Sequence, residues 1–292
     1  MKLLKRNTSL ITGKQNLEHL QTLKDIPVFF GCTDKPQTED IKCEMKWFID
    51  KDTGLIQLGE LVPLEILYME QHVDAVGKTW NDYYANFSEY ICKNNTNNII
   101  EIGGGSGKLA EFVLEKTTNV QYTIIEPNPL IKSSEKIKVI PSFFNNSLDI
   151  EKGSTIVFSQ VFEHVYNPKE FLMEINLYLD DNNKLIFAYP DLEHWFKSKF
   201  TNAINFEHTM LLTDYYLDYL LNLCGFNIEN KTKYNDHSFF YCVSKSTSTI
   251  IVPSIVNRYS HYKDMFIEFN NHYENYILKL NNEINLHKKN YY

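Results

Sequence analysis

Residues 99–190 alternate between short apolar runs and amphipathic stretches, and this alternation is typical of an α/β fold. The apolar runs are rich in Ile, Val and Phe, so they predict buried strands. Five strands are predicted in this region, and they are Ile99–Ile102, Val120–Ile125, Ile137–Ile140, Ser154–Phe158 and Lys184–Tyr189. A sixth strand is predicted to begin at Gly225, and a seventh is predicted to span Ser238–Ser244.

Apolar residues at helical spacing flank this region on both sides. In residues 76–94 large apolar side chains recur three or four positions apart, which predicts an amphipathic helix. The same spacing predicts a long C-terminal helix through Tyr262, Phe266, Phe269, Tyr273, Tyr276, Leu280 and Ile284. Strand patterns at Asp25–Phe30 and Leu55–Leu58 predict a small β-rich lobe. The predicted organisation is therefore a lobe at 1–72, a central domain at 73–246 and a helical extension at 247–292.

The first predicted strand leads directly into a glycine-rich loop, Glu101-Ile102-Gly103-Gly104-Gly105-Ser106-Gly107-Lys108. Glycines at positions 103, 105 and 107 allow positive φ angles and the close approach of a ligand. A dinucleotide fingerprint needs a third glycine where Lys108 stands, and a phosphate-binding P-loop needs Ser or Thr where Leu109 stands. Neither motif fits. A loop of this kind alone is also compatible with an ordinary tight turn, so the residues downstream must decide.

Polar and aromatic residues follow the next three predicted strands, at the edge of the sheet where a nucleoside would bind. Glu126 ends the second strand, from where a carboxylate can accept hydrogen bonds from a ribose diol. Phe144 follows the third strand and offers a face to an adenine ring. The fourth strand is followed by Ser159, Gln160, Val161 and His164. In combination these motifs resemble the class I S-adenosylmethionine-dependent methyltransferases, over roughly residues 75–245.

This resemblance implies a Rossmann-like seven-stranded sheet in the order 3-2-1-4-5-7-6, with the last strand antiparallel. It implies S-adenosylmethionine as methyl donor and S-adenosylhomocysteine as product. The implied cofactor-binding residues are Glu101, Gly103, Gly104, Gly105, Gly107, Glu126, Pro127, Phe144, Ser159, Gln160, Val161 and His164. Trp80 is added because an indole ring can shelter a sulfonium by a cation–π contact. Aromatic residues at helical spacing also serve as packing residues, and that alternative stays open for Trp80.

The N-terminal lobe contains two frames that end in glycine, Ser9-Leu10-Ile11-Thr12-Gly13 and Asp50-Lys51-Asp52-Thr53-Gly54. The two frames and the sequence around them resemble the N-terminal region of the sugar C-methyltransferase family. In that family an N-terminal zinc ribbon presents Cys-x-x-Cys-Gly knuckles. Here Ser9, Thr12, Asp50 and Thr53 replace the four thiolates, while Cys32 and Cys43 lie outside the knuckles. Hydroxyls are poor zinc ligands, so the ribbon is expected to persist without zinc. Ordinary hairpin turns are the alternative. Longer family members continue into a second α/β domain, which is expected to be absent here.

Methyl transfer to an alcohol or a C–H acid also requires a base, and histidine is the usual base near neutral pH. His208, preceded by Glu207, is the first candidate because the resembled family has a Glu-His pair there with histidine as base. Glu207 or another nearby acid is expected to orient it. His164, beside Glu163, is the second candidate, and His72 is the third. A purely structural role is the alternative for each. No carboxylate cluster suggests a magnesium site, so no metal ligand is predicted.

The charge and the cysteine content of the chain bear on which partners and which cellular compartment are expected. The formal net charge is -8 and the lysines are scattered, which disfavours a nucleic-acid substrate. No signal peptide is recognisable at the start, and no segment could cross a bilayer. The five cysteines are odd in number and lack a disulfide-type spacing, which favours a reducing cytoplasm. The aromatic C-terminal helix is a candidate homodimer surface.

The leading functional hypothesis is a bacterial, cytoplasmic methyltransferase of capsule or other polysaccharide biosynthesis. Its acceptor would be a small polar molecule, most simply a nucleotide-linked sugar or a surface-polysaccharide precursor. O-methylation is favoured over C-methylation, because the zinc-binding cysteines of the C-methyltransferases are replaced here and their second domain is expected to be absent. One alternative is methylation of a non-sugar metabolite, or of a phosphorylated or amidated glycan decoration. The other is a non-catalytic scaffold that binds S-adenosylmethionine.

Overall fold

The structure is a computed structural model that describes residues 1–29, 36–68, 77–95, 98–145, 147–150, 152–247 and 254–290. A seven-stranded sheet forms its centre. The strands of this sheet are β6 (Ile99–Ile102), β7 (Tyr122–Ile125), β8 (Ile137–Ile140), β9 (Thr155–Ser159), β10 (Lys184–Pro190), β11 (Phe226–Tyr234) and β12 (Ser238–Lys245). The five strands that precede β6 in the described residues belong to the N-terminal lobe.

The strand order is β11-β12-β10-β9-β6-β7-β8. The pairs within β10-β9-β6-β7-β8 are parallel, whereas β12 runs antiparallel to both β10 and β11. Numbered along the sheet domain, this is the predicted order 3-2-1-4-5-7-6 read from the other edge. The prediction of fold class and strand order is therefore confirmed. Parallel strands place their carboxyl ends at one edge, and the glycine loop, Glu126 and Gln160 all follow strands at that edge.

Helices cover the faces of the sheet. They are α2 (Lys78–Asn94), α3 (Lys108–Leu114), α4 (Pro168–Tyr178), α5 (Leu192–Lys197) and α6 (Asp214–Leu223), after the single turn α1 (Leu64–Leu67). The buried residues of α2 include Tyr83, Phe87 and Ile91, which lie on one face as the helical spacing predicts. None of the described helices combines the length and the apolar character that crossing a bilayer requires.

The N-terminal lobe is rich in β-structure. Its strands are β1 (Leu4–Lys5), β2 (Leu17–Pro27), β3 (Lys42–Asp50), β4 (Ile56–Leu58) and β5 (Glu60–Leu61). Strands β2, β3 and β4 form an antiparallel three-stranded sheet, and β1 pairs with β5. The predicted strand at Asp25–Phe30 overlaps only the last three residues of the longer β2, which begins at Leu17 and ends at Pro27. Phe30 itself, Cys32 and His72 lie outside the described residues. The predicted domain boundaries near residues 72 and 246 stay predictions.

Three of the four knuckle positions meet in the interior of the lobe. Asp50 is fully buried and accepts hydrogen bonds from Ser9 Oγ (2.5 Å), Thr53 Oγ1 (2.8 Å) and Asn16 Nδ2 (2.7 Å). Ser9 Oγ in turn accepts from the backbone N–H of Thr12 at 3.1 Å. The two frames are therefore joined by a hydrogen-bonded carboxylate.

The C-terminal helix α7 (Tyr259–Asn290) has two different halves. Its first turns bury Tyr262, Met265, Phe266 and Phe269, and the Phe266 ring lies 5.8 Å from that of Trp47 in the lobe. Its later turns expose apolar side chains, among them Leu280 (39%) and Ile284 (46%). The first half thus belongs to the core that joins lobe and sheet domain, whereas the second half projects from it.

Candidate active site

A cavity of about 480 Å³ opens at the carboxyl ends of β6, β7, β8 and β9. Eight of the sequence-predicted cofactor residues line it, and these are Gly103, Gly105, Glu126, Pro127, Phe144, Gln160, Val161 and His164. Glu207 lines it as well. The structure therefore brings residues from four strand ends, and from a segment beyond β10, into one pocket.

The glycine loop shapes one wall of this cavity. Gly103 has φ +76°, and a Cβ there would lie 2.6 Å from the Val161 side chain. Gly105 has φ +48° with open space around the position of a Cβ. The backbone of the loop, which has no side chain to cover it at these two positions, is exposed to a ligand.

Glu126 is held in place by two backbone N–H groups, one from the glycine loop and one from the turn after β7. Its Oε2 accepts from Gly105 N at 3.2 Å, and its Oε1 accepts from Asn128 N at 3.0 Å. Each carboxylate oxygen can accept a further hydrogen bond, because an ionised carboxylate offers about four lone-pair sites. The carboxylate is thus fixed and keeps acceptor capacity for a ligand.

Glu101 lies behind the glycine loop and is buried. Burial raises its pKa to about 7, and its Oε2 has no hydrogen-bond partner among the described residues. A Cβ on Gly104 would lie 3.1 Å from this carboxyl group. Glu101, Gly104 and Gly107 do not line the cavity themselves and instead form its second layer.

The opposite wall is aromatic. Phe144 lines the cavity and packs against Phe171 and Tyr178, with ring centroids 5.9 Å and 5.5 Å away. Tyr68, at the end of α1, lies edge-on to Phe143 at 6.3 Å, and its carbonyl accepts from Asn128 Nδ2. These contacts leave the Phe144 ring supported from behind, where a planar ligand group could lie against it.

Two predicted cofactor residues point elsewhere. Ser159 is hydrogen-bonded to the Tyr83 hydroxyl at 2.7 Å, and Trp80 packs on His237 with ring centroids 5.5 Å apart; neither lines the cavity.

Gln160 adopts φ +54°, a left-handed conformation that is uncommon for a non-glycine residue. Its Nε2 donates to Ser238 Oγ at 2.9 Å, which holds the chain in that conformation.

Four side chains from two segments form a histidine–glutamate corner: Glu163 and His164 after β9, and Glu207 and His208 before α6. His164 Nδ1 is 3.5 Å from Glu207 Oε2 and 3.3 Å from the Tyr68 hydroxyl. The rings of His164 and His208 lie 5.2 Å apart and tilted by 33°. His164 and Glu207 face the cavity, whereas Glu163 and His208 lie behind them.

Burial shifts the pKa values of Glu163 and His208, the two residues behind the cavity wall. It raises the pKa of Glu163 to about 8 and lowers the pKa of His208 to about 4. Burial also raises the pKa of Tyr68 far above its ordinary value, and the nearby Glu207 adds to the effect. The Tyr68 hydroxyl therefore stays protonated and can donate a hydrogen bond next to His164.

Arg6 of the lobe and Asn205 of the segment after β10 hold the histidine–glutamate corner together. Arg6 is buried and donates from Nη1 to the Thr209 carbonyl at 3.1 Å and from Nη2 to the Tyr166 carbonyl at 2.7 Å. It therefore ties the segment after β9 to the segment that contains Glu207 and His208. Asn205 Oδ1 accepts from the backbone N–H groups of both, at 2.8 Å and 2.7 Å.

Sequence reasoning missed Arg6 and Tyr68. Nothing in the local sequence distinguishes Arg6 from other surface cations near the N-terminus. Tyr68 lies outside the predicted strand ends, and only the fold brings it next to His164. A buried arginine contacting backbone carbonyls is a tertiary feature with no periodic signal.

Comparison with solved structures gives distant matches. The riboflavin-analogue dimethyltransferase RosA from Streptomyces davawensis is 16% identical with a TM-score of 0.45, over 57% of this chain and 55% of that one. This chain thus matches little more than half of that enzyme's length. The plantazolicin methyltransferase BpumL, solved with SAH, is 15% identical with a TM-score of 0.44, over 56% of this chain and 82% of that one. No curated protein sequence matches the chain.

A family comparison is more informative. The family model described as a methyltransferase domain matches residues 71–231, which is more than half of the chain. The matched range contains the glycine loop, Glu126, Gln160 and the entire histidine–glutamate corner. The chain belongs to this family of methyltransferase domains.

Proposed function

We propose that the protein transfers a methyl group from S-adenosylmethionine to a small polar acceptor, most simply the hydroxyl of a nucleotide-linked sugar or of a surface-polysaccharide precursor. The observation that carries this proposal is the composition of the cavity. A nucleoside-type edge, with glycine loop, Glu126 and Phe144, faces the same 480 Å³ space as His164 and Glu207. Donor and acceptor can therefore meet within one pocket.

The donor side fits S-adenosylmethionine group by group. Glu126, fixed by two backbone N–H groups, would accept from both ribose hydroxyls. The supported Phe144 ring would lie against the adenine. The methionyl part would follow the exposed backbone of Gly103 and Gly105. Its ammonium group would offset the charge of the buried Glu101, whose Oε2 has no hydrogen-bond partner among the described residues. Three chemically different parts of the donor thus have a matching surface.

The acceptor side is polar and can bind hydroxyl groups. His164, Glu207 and the protonated Tyr68 hydroxyl supply both donors and acceptors of hydrogen bonds there. Such a set suits a sugar, whose hydroxyls both donate and accept. We favour oxygen over carbon as the methylated atom, since O-methylation needs only a hydroxyl and a base, whereas C-methylation needs a keto sugar acidified at the neighbouring carbon. A non-sugar metabolite, or a phosphorylated or amidated glycan decoration, is the second candidate.

Proton removal belongs to the histidine–glutamate corner. His208 is buried and does not line the cavity, and its ring lies 5.2 Å from that of His164. His164 and Glu207, which line the cavity, are better placed to touch the acceptor. The initial preference for His208 as base therefore moves to this pair, with His208 as a supporting residue.

The free thiols of Cys43, Cys92, Cys224 and Cys242 support a reducing location, and we propose the cytoplasm. A homodimer through the exposed second half of α7 is proposed as the oligomeric state, because Ile277, Leu280 and Ile284 repeat at the spacing of a coiled-coil seam.

The direct experiment is a screen of nucleotide-linked sugars with S-adenosylmethionine that carries a ¹³C-labelled methyl group. Mass spectrometry should find one labelled product and an equimolar amount of S-adenosylhomocysteine. His164→Ala should lower turnover by roughly 10²-fold or more while donor affinity changes little. Donor binding without transfer to any acceptor, sugar or not, would favour the scaffold hypothesis. Absence of donor binding would refute the proposal.

A further inference from the structure

We propose that Glu163, His164 and His208 bind one divalent transition-metal cation beside the cavity. Each of the three offers one ligand atom, and these atoms lie within 4.8 Å of one another. Imidazole and carboxylate ligands bind zinc at distances of about 2.0–2.2 Å, so the three side chains would move closer together when a cation binds. The histidine–glutamate corner would thus contain a metal site, a role that the sequence did not predict.

The two buried members lack the partners that buried polar groups normally have. Glu163 Oε2 and His208 Nδ1 are inaccessible to solvent and have no hydrogen-bond partner among the described residues. Glu163 is only 2% exposed, and His208 is 6% exposed. A buried carboxyl group and a buried imidazole nitrogen without partners are costly, unless a cation binds both. Two orphaned ligand atoms beside a third ligand are the observation that points to a metal.

The other side of each histidine ring has the partner that metal ligands usually have. Backbone groups of Ala203 and Asn202 lie close enough to act on the His208 ring. Its Nδ1 has no partner among the described residues. The ring of His164 has the Glu207 carboxylate at 3.5 Å. A metal-binding histidine almost always donates its second N–H to a carbonyl or a carboxylate, which fixes the ring and its tautomer.

The ligand types define the class of cation. Two imidazoles and one carboxylate suit Zn²⁺, Mn²⁺, Fe²⁺ or Co²⁺, and they suit Mg²⁺ and Ca²⁺ poorly, because those ions prefer oxygen. Three protein ligands leave at least one coordination position for another molecule. Since His164 lines the cavity, that position can face the acceptor.

This inference rests on the proposed function and gives the corner a more specific role. A cation held by these three residues would lower the pKa of an acceptor hydroxyl bound to it. With His164 engaged as a ligand, Glu207 is the cavity-lining group left to accept the proton. The oxygen then forms a bond to the methyl carbon, the carbon–sulfur bond breaks, and its electron pair stays on the sulfur of S-adenosylhomocysteine.

The test uses the full-length protein after treatment with a chelator and desalting. Mn²⁺ is titrated by calorimetry, and Co²⁺ is titrated by visible absorption, which reports nitrogen ligands. We expect one site per chain for both ions. Glu163→Gln and His208→Gln should each weaken binding by at least about 10-fold, since changes even to the partners of metal ligands have effects of that size. His261→Gln, at an exposed histidine outside the corner, is the matched control and should bind as the wild type does.

The wild-type titration needs no variant, so misfolding of one variant cannot conceal the answer. No stoichiometric binding of either ion by the wild type would overturn the cation site, as would wild-type affinity in both corner variants. Affinity for S-adenosylmethionine is measured on the same samples. Donor binding without cation binding rejects only the metal, whereas loss of donor binding in the wild type rejects the proposed function.

Discussion

Glu126→Ala is the sharpest test of the donor site. The wild-type carboxylate accepts one backbone N–H on each oxygen, from Gly105 and from Asn128, and keeps lone pairs for two ribose hydroxyls. A hydrogen bond to a charged group contributes about 1.5–3 kcal/mol. Water can reach this partly exposed position in the variant and compensate in part, so we expect a net loss near the lower end of that range. Since about 1.4 kcal/mol corresponds to a factor of ten, affinity should fall by roughly 10- to 30-fold.

Calorimetric titration with S-adenosylhomocysteine measures this change without the complication of turnover. Glu126→Gln keeps the shape of the side chain and removes its charge. Its amide has one oxygen acceptor and therefore cannot accept from both backbone N–H groups. Its affinity should lie between those of the wild type and the alanine variant. Glu135→Ala, on the exposed loop before β8, is the matched control and should leave affinity unchanged. An affinity within twofold of the wild type in Glu126→Ala would show that the ribose binds elsewhere.

Three further outcomes are expected. Burial raises the pKa of Glu101 to about 7. Because only its ionised form can pair with the donor's ammonium, donor affinity should rise about tenfold between pH 6 and pH 8. Glu101→Gln should abolish this pH dependence, and a variant with the pH profile of the wild type would exclude the pairing. Asp50→Ala leaves three side-chain donors in the lobe without their acceptor and should lower the free energy of unfolding by about 3 kcal/mol in urea titrations. The half-exposed Asp52→Ala is its control, with an expected loss below about 1 kcal/mol, and equal losses in the two variants would contradict a special role for Asp50. The double variant Leu280→Glu/Ile284→Glu should convert a dimer into a monomer in light scattering, and a wild-type protein that is already monomeric would reject dimerisation through α7.

The methyltransferase sheet could be predicted from the sequence because its signals are local. Each parallel strand is buried on both faces and therefore forms a continuous apolar run, such as Ile99–Ile102 or Ile137–Ile140. The residues after a strand then share one edge of the sheet. For that reason the glycine loop, Glu126 and Gln160 could be assigned to one pocket before the fold was known.

Side-chain direction could not be predicted in the same way. Ser159 and Gln160 are neighbours at one strand end, yet Gln160 lines the cavity and Ser159 bonds to Tyr83 behind it. Likewise, Glu207 was expected to orient the adjacent His208, but its carboxylate faces His164 from the other segment. Backbone geometry sends consecutive side chains in different directions, so adjacency along the chain does not imply contact.

The amino-acid sequence by itself thus determined the strands, the helices and the edge at which a donor can bind, because periodic burial and strand termination are properties of short segments. The tertiary structure alone decided which residues of the histidine–glutamate corner meet. Glu163 and His208 come from segments 45 residues apart, and Arg6, from the far end of the chain, ties those segments together. Contacts between distant segments depend on the packing of the lobe, the sheet and α7 into one core, and no local pattern encodes that packing.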